Sequence, residues 1–162
     1  MWAGRPPADR FLLLVLTAGG LGTVPVAPGT AGSLLALLLA WGLAAWGPAA
    51  MLLAALACAG LTALFGGRAE ALLGQRDPPA VVLDEVAGML LAMVALPRHW
   101  TVAVAAFACF RLLDTAKPLG IRRAEALPGG VGILADDLLA GLYTNLLLQA
   151  VTHLLAGRAP LP

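Results

Sequence analysis

The sequence is short of charge. Asp, Glu, Lys and Arg make up only 12% of its 162 residues, about half of what soluble domains carry. With a net charge of +1 there is no basic field of the kind that nucleic acid recruits. Cysteine is nearly absent, and Cys58 and Cys109 lie inside apolar runs. They read as small buried hydrophobes rather than a disulfide or a nucleophile, and imply no redox compartment. Histidine is as scarce, with His99 and His153 far apart, which argues against zinc chemistry. No long linker or low-complexity tract divides the chain, so residues 1–162 are read as a single domain. Arg5 and Arg10 precede the apolar run "FLLLVLTA" at 11–18, but no A-x-A cleavage pattern follows. A cleaved secretory signal is therefore disfavoured. The run is too short to span and is predicted to be a short helix at, or dipping into, a membrane interface.

What the sequence has is apolar length. Hydrophobic residues make up 60% of the chain and the mean hydropathy is +0.90, which places it in a membrane. Breaking the apolar stretches at Gly, Pro and charge predicts helices over about 32–46, 49–65, 81–96, 101–117 and 131–156. The fold class is all-α: an integral membrane helical bundle, about four spanning helices plus a short N-terminal interfacial or re-entrant helix. The shortest segments, at about 15 residues and about 1.5 Å per residue, reach about 23 Å and need a thinned bilayer or a protein-lined pocket.

Following the chain up and down brings its acidic features together. If the loop "GTVPVAPGTAGS" lies on one side, the second helix returns to that side, and Asp84 and Glu85 open the next one there. The helix after it delivers "FRLLDTAKP", residues 110–118, to the same face, from which "GGVGILADDLLAG", residues 129–141, departs. That face carries Arg5, Arg10, Arg68, Arg76, Lys117, Arg122 and Arg123, against Arg98 and Arg158 opposite. The positive-inside rule makes it cytoplasmic.

Asp84, Glu85, Asp114, Asp136 and Asp137 thus offer five carboxylates from three helices, with Arg111 and Lys117 among them. Hard oxygen donors without His or Cys suit Mg²⁺ or Mn²⁺, and a divalent ion neutralises carboxylates that repel one another. The plain alternative is that the acids are interfacial, favoured by capping and the helix dipole. Ala87 and Gly88 follow one acidic pair as Ala140 and Gly141 follow the other, spacing that lets two helices approach closely. Gly29, Thr30 and Ser33 open a helix beside the site, either as an anion cradle or as a simple re-entry turn. Carboxylates, a metal, an anion cradle and a basic pair describe phosphate chemistry on a membrane lipid.

The blocks "GTVPVAPGTAGS", "VVLDEVAGM", "FRLLDTAKP" and "GGVGILADDLLAG", in this order, closely resemble the bacterial phosphatidylglycerophosphatase A family, across roughly residues 10–150. The resemblance implies a Mg²⁺-dependent phosphomonoesterase acting on phosphatidylglycerophosphate at the cytoplasmic face of the inner membrane. It places the family's acidic positions on Asp84, Glu85, Asp114, Asp136 and Asp137 and its basic ones on Arg111 and Lys117. One departure is Leu119-Gly120 before Ile121, where the family commonly has a second proline; it bears on loop shape, not on the metal ligands. Catalytically, Asp114 and one carboxylate of each pair are expected to hold the metal and a remaining one to act as general base. Arg111, Lys117, Thr30 and the Gly29 to Ser33 backbone are expected to grip the terminal phosphate. A covalent aspartyl-phosphate is the competing route.

Other lipid-phosphate chemistries lack their residues. The histidine-dependent phosphatases need a nucleophilic His near Arg, but His99 lies on the opposite face and His153 far down the last helix; a D-x-D-x-T nucleophile and the D-G-x₂-A-R type signature of CDP-alcohol phosphotransferases are missing. A cation or proton transporter using the same acids is the alternative function, and it requires access from both sides. A non-catalytic scaffold leaves the carboxylates without a purpose. Nothing in the sequence sets an oligomeric state.

Overall fold

The computed structural model describes residues 3–124 and 127–156; Arg158 lies outside them. Every regular element among these residues is helical: α1 (Pro7–Leu16), α2 (Pro28–Leu43), α3 (Pro48–Leu73), α4 (Leu83–Met93), α5 (Trp100–Ala116), α6 (Ile121–Ala124) and α7 (Gly129–Ala156). Short 3₁₀ turns precede α2 at Leu21–Thr23 and extend it at Ala44–Trp46. The starts follow local chemistry: Pro7, Pro28 and Pro48 open α1, α2 and α3, where a missing N–H costs nothing. Gly74 in the left-handed conformation closes α3.

Three helices are long and apolar enough to cross a membrane: Pro28–Trp46 with 19 residues, Pro48–Leu73 with 26 and Gly129–Ala156 with 28. Their outward faces carry Leu38, Leu53, Leu64 and Leu154, each at least 65% exposed, as lipid-facing surface requires. Two expected boundaries are corrected. The helix expected over 49–65 does not stop at "GGR" but runs on to Leu73. Gly66 and Gly67 lie against Gly129 and Gly130 of α7, so these glycines admit a neighbouring backbone instead of ending the helix.

The helix expected over 81–96 forms only as the 11 residues of α4. At about 1.5 Å per residue it is about 16 Å long, half of a hydrocarbon layer of about 30 Å. Val94 turns extended, Ala95 takes φ 57° and Pro97 follows, so the helix cannot continue. Nine of its 11 residues are buried. It is the centre of the bundle, enclosed by α2, α3, α5 and α7. Its apolarity reflects protein on all sides rather than lipid.

A helix that ends inside a bundle leaves carbonyls without partners. Here Asn145 of α7 supplies them: its Nδ2 donates to Ala92 O at 3.0 Å and Val94 O at 2.7 Å, while Gln149 Nε2 donates to Asn145 Oδ1 at 2.9 Å. At the other end of the bundle, α1 lies against α3. Buried Asp9 accepts Arg68 Nη2 at 2.6 Å, and Arg5 donates to Leu72 O at 2.6 Å. This fits the short N-terminal helix expected from the sequence.

Asn145→Leu removes both donors at the end of α4 while keeping the volume apolar. It is expected to destabilise the protein by about 1–3 kcal/mol. A lowered thermal unfolding midpoint in detergent is the readout, and an unchanged midpoint would show that those carbonyls need no partner.

A candidate metal and phosphate site

The α4 and α7 helices cross with backbone on backbone. A side-chain carbon added at Gly88 would run into the Asp137 carbonyl, and one added at Gly141 into the Gly88 carbonyl. This is the close approach expected from the small residues one turn beyond each acidic pair. It turns the first turn of α4 toward the middle of α7. Asp84, Glu85 and Asp137 consequently offer carboxylate oxygens that all lie within 4.8 Å of one another. Asp84 and Asp137 are each 4% exposed and Glu85 is half-buried.

Asp84 Oδ1, Glu85 Oε2, Asp136 Oδ1 and Asp137 Oδ1 are buried without a hydrogen-bond donor among the described residues. Buried carboxylate oxygens ordinarily find donors, and like charges at this separation repel. The arrangement fits a divalent cation: hard oxygen donors from two helices, converging, unsatisfied and without nitrogen or sulfur.

The remaining expected residues meet at the same place. Asp114 sits one helical turn beyond Arg111 on α5 and forms an ion pair with it, Oδ2 lying 2.7 Å from Nη1. Lys117 caps α5 with φ 47° and its Nζ reaches Asp136 Oδ2 at 2.6 Å. All five carboxylates and Lys117 line one polar cavity of about 180 Å³. Arg111 flanks it, next to the start of α2. There Gly29 packs so tightly that an added side-chain carbon would strike the Glu85 carboxylate and come within 3.2 Å of Arg111 Nη1.

The glycine-rich loop is only partly what its sequence suggested. Ala27 takes φ 49°, Pro28 follows, and α2 begins without a side-chain cap, leaving its first N–H groups beside Arg111 and Glu85. Thr30 is half-buried on that turn. Ser33 is fully buried and its hydroxyl donates to Gly29 O at 2.8 Å, so it is turned into the helix and away from the cavity. Sequence reasoning also missed a residue. Asp77, in the α3–α4 connection, lines the cavity too; its only signal was a carboxylate in a Pro-rich turn at the convergent end.

Comparison with known proteins finds relatives over most of the chain. The family model of phosphatidylglycerophosphatase A matches residues 14–152. The chain is 34% identical to phosphatidylglycerophosphatase A of Haemophilus influenzae, over 86% of this chain and 88% of that protein. It is 32% identical to the Escherichia coli protein of the same name, over 86% and 83%. A Bacteroides thetaiotaomicron protein named "Putative phosphatidylinositol-3-phosphatase" is 40% identical, over 84% and 90%. No solved structure matches the chain.

Asp137→Asn is expected to weaken Mn²⁺ binding, measured by calorimetry in detergent, by at least about tenfold. Gly29→Ala is expected to weaken it as well, because the added methyl displaces Glu85. Wild-type affinity in both variants would remove these residues from a metal site.

Proposed function

The chain belongs to the phosphatidylglycerophosphatase A family, and on that basis we propose that it hydrolyses phosphatidylglycerophosphate to phosphatidylglycerol and inorganic phosphate. The observation that carries this reading is the cavity itself, where six carboxylates and Lys117 meet beside Arg111 and the start of α2. Soluble phosphate esters do not call for such a site at one end of three membrane-length helices; a phosphate tethered to a lipid does.

Asp84, Glu85 and Asp137 would hold the ion, Mg²⁺ with Mn²⁺ as substitute. When bound, that ion supplies charge neutralisation and polarisation of a phosphoryl oxygen. Arg111 and Lys117 bind the equatorial phosphoryl oxygens and stabilise the charge that develops on them. Each already faces a carboxylate, Asp114 and Asp136, which keeps the cation extended into the cavity before substrate arrives. The N–H groups of Gly29 and Thr30 at the start of α2 add donors for the same phosphate. Asp114 or Asp136 accepts the proton of the attacking water as general base. The glycerol oxygen leaves toward solvent, where it takes up a proton.

The distribution of charge supports a cytoplasmic site at an inner membrane. Arg5, Arg10, Arg68, Arg76, Arg122 and Arg123 lie at the cavity end, whereas the opposite end has Arg98, whose guanidinium lies 5.2 Å from the Trp41 ring. Exposed Trp46 and Trp100 lie at that end too, as interfacial aromatics do. The transport alternative finds little to use. No Asp, Glu, Lys, Arg or His occurs in α2, in α3 before Arg68, in α4 after Glu85 or in α7 between Asp137 and His153.

Phosphate release from phosphatidylglycerophosphate in mixed micelles tests the reading. Release is expected to stop with EDTA and return with Mg²⁺, and Asp84→Asn and Asp137→Asn are each expected to lower kcat by at least about a hundredfold. Unchanged activity in both variants sinks the site. The Bacteroides relative makes phosphatidylinositol 3-phosphate the second lipid to assay. Release from it alone would keep the chemistry and change the substrate.

A further inference from the structure

Asp77 lines the cavity from the α3–α4 connection, whereas the other five carboxylates stand on α4, α5 and α7. Whereas Asp84, Asp136 and Asp137 are each 4% exposed, Asp77 is open to solvent and still lines the same cavity. It stands at the mouth. Its place is built rather than incidental: its backbone N–H donates to Glu70 Oε1 at 2.9 Å, and its φ is 45°. Buried Pro78 follows, and the Pro78 carbonyl accepts the Val81 N–H at 2.9 Å. Glu70 on α3 and the proline turn together hold the Asp77 backbone at the solvent-open edge of the cavity.

A carboxylate in that position repels an incoming phosphate. What it can receive from a substrate is a hydrogen-bond donor. Between its diester and its terminal phosphate, phosphatidylglycerophosphate carries one such donor, the free hydroxyl of the headgroup glycerol. Resting on the lipid-phosphatase reading, we infer that Asp77 accepts a hydrogen bond from that hydroxyl and so selects a terminal phosphate borne on a polyol over one attached directly to diacylglycerol. A carboxylate has about four lone-pair sites, so contacts made within the protein leave capacity for a substrate hydroxyl. Sites that hydrogen-bond a substrate hydroxyl reject analogues lacking it far better than apolar pockets reject size differences. Asp77 is thus a specificity-determining residue, distinct from the groups that act on phosphorus.

The test compares kcat/KM for phosphatidylglycerophosphate and for phosphatidate in mixed micelles, together with Mn²⁺ affinity. In Asp77→Ala the ratio of the two kcat/KM values is expected to fall about tenfold, with Mn²⁺ affinity as in wild type. Asp77→Asn, whose amide oxygen still accepts a hydrogen bond, is expected to keep the ratio within about threefold of wild type. A parallel fall on both lipids or an unchanged ratio in Asp77→Ala overturns the inference. So does weakened Mn²⁺ binding, which would make Asp77 a metal ligand, or an Asn variant as unselective as Ala, which would assign the effect to charge. Wild-type protein that releases phosphate from neither lipid defeats the proposed function instead.

Discussion

The contact of Gly88 with Gly141 is the constraint on which the site depends. Helices normally pack with axes about 8–10 Å apart, a spacing filled by side chains. Here each glycine faces a carbonyl of the other helix, so α4 and α7 approach with nothing between them. The acidic pair on each helix lies one turn before the contact, and the approach carries Asp84 and Glu85 against Asp137. The packing that drives the helices together therefore assembles a concentration of negative charge that electrostatics alone would scatter. Such a cluster could hold a metal ion, whose charge would offset that repulsion.

Everything around α4 compensates for the brevity of that helix. Its start lies where the dipole favours acids, and its end is closed by Asn145. Without those donors a helix of half the membrane's thickness would leave polar backbone in an apolar interior. The long helices α2, α3 and α7 supply the span and the lipid-facing surface, and the short one carries the chemistry between them. This division explains why the most buried helix in the chain contains two of its nine acidic residues.

The basic residues follow the same economy. Arg111 and Lys117 lie at the end of α5, where cations suit the dipole, and each is extended by a carboxylate, Asp114 or Asp136. Such largely buried pairs are weak evidence for stability, but they hold long, flexible side chains in one arrangement before a phosphate arrives. Gly29 brings the start of α2 into the same corner, so backbone donors, cations and carboxylates come from four different helices.

Much of this was legible because charge is rare in the sequence. In apolar helices a carboxylate is costly, so Asp84, Glu85, Asp114, Asp136 and Asp137 stood out, and alternation of direction from helix to helix placed them at one end. The small residues after each acidic pair announced the crossing for the same reason. Other features were hidden. "VVLDEVAGMLLAMVAL" has the composition of a spanning helix and of a helix buried in protein, and periodicity cannot separate the two. Gly66-Gly67 looked like a stop because glycine ends helices as readily as it admits a neighbour. Ser33, expected beside the phosphate, donates its hydroxyl to the Gly29 carbonyl of its own helix, a contact that sequence alone does not reveal. Asp77, in an ordinary-looking turn, gave no sign that the turn folds over the cavity. The sequence by itself determined the all-helical class, the membrane setting and the end at which the acids gather, since these depend on composition and connectivity. The tertiary structure alone decided which carboxylate oxygens converge, how deep α4 lies and which further carboxylate lines the cavity. Those depend on helix rotation and ångström-scale approach, which one-dimensional patterns do not encode.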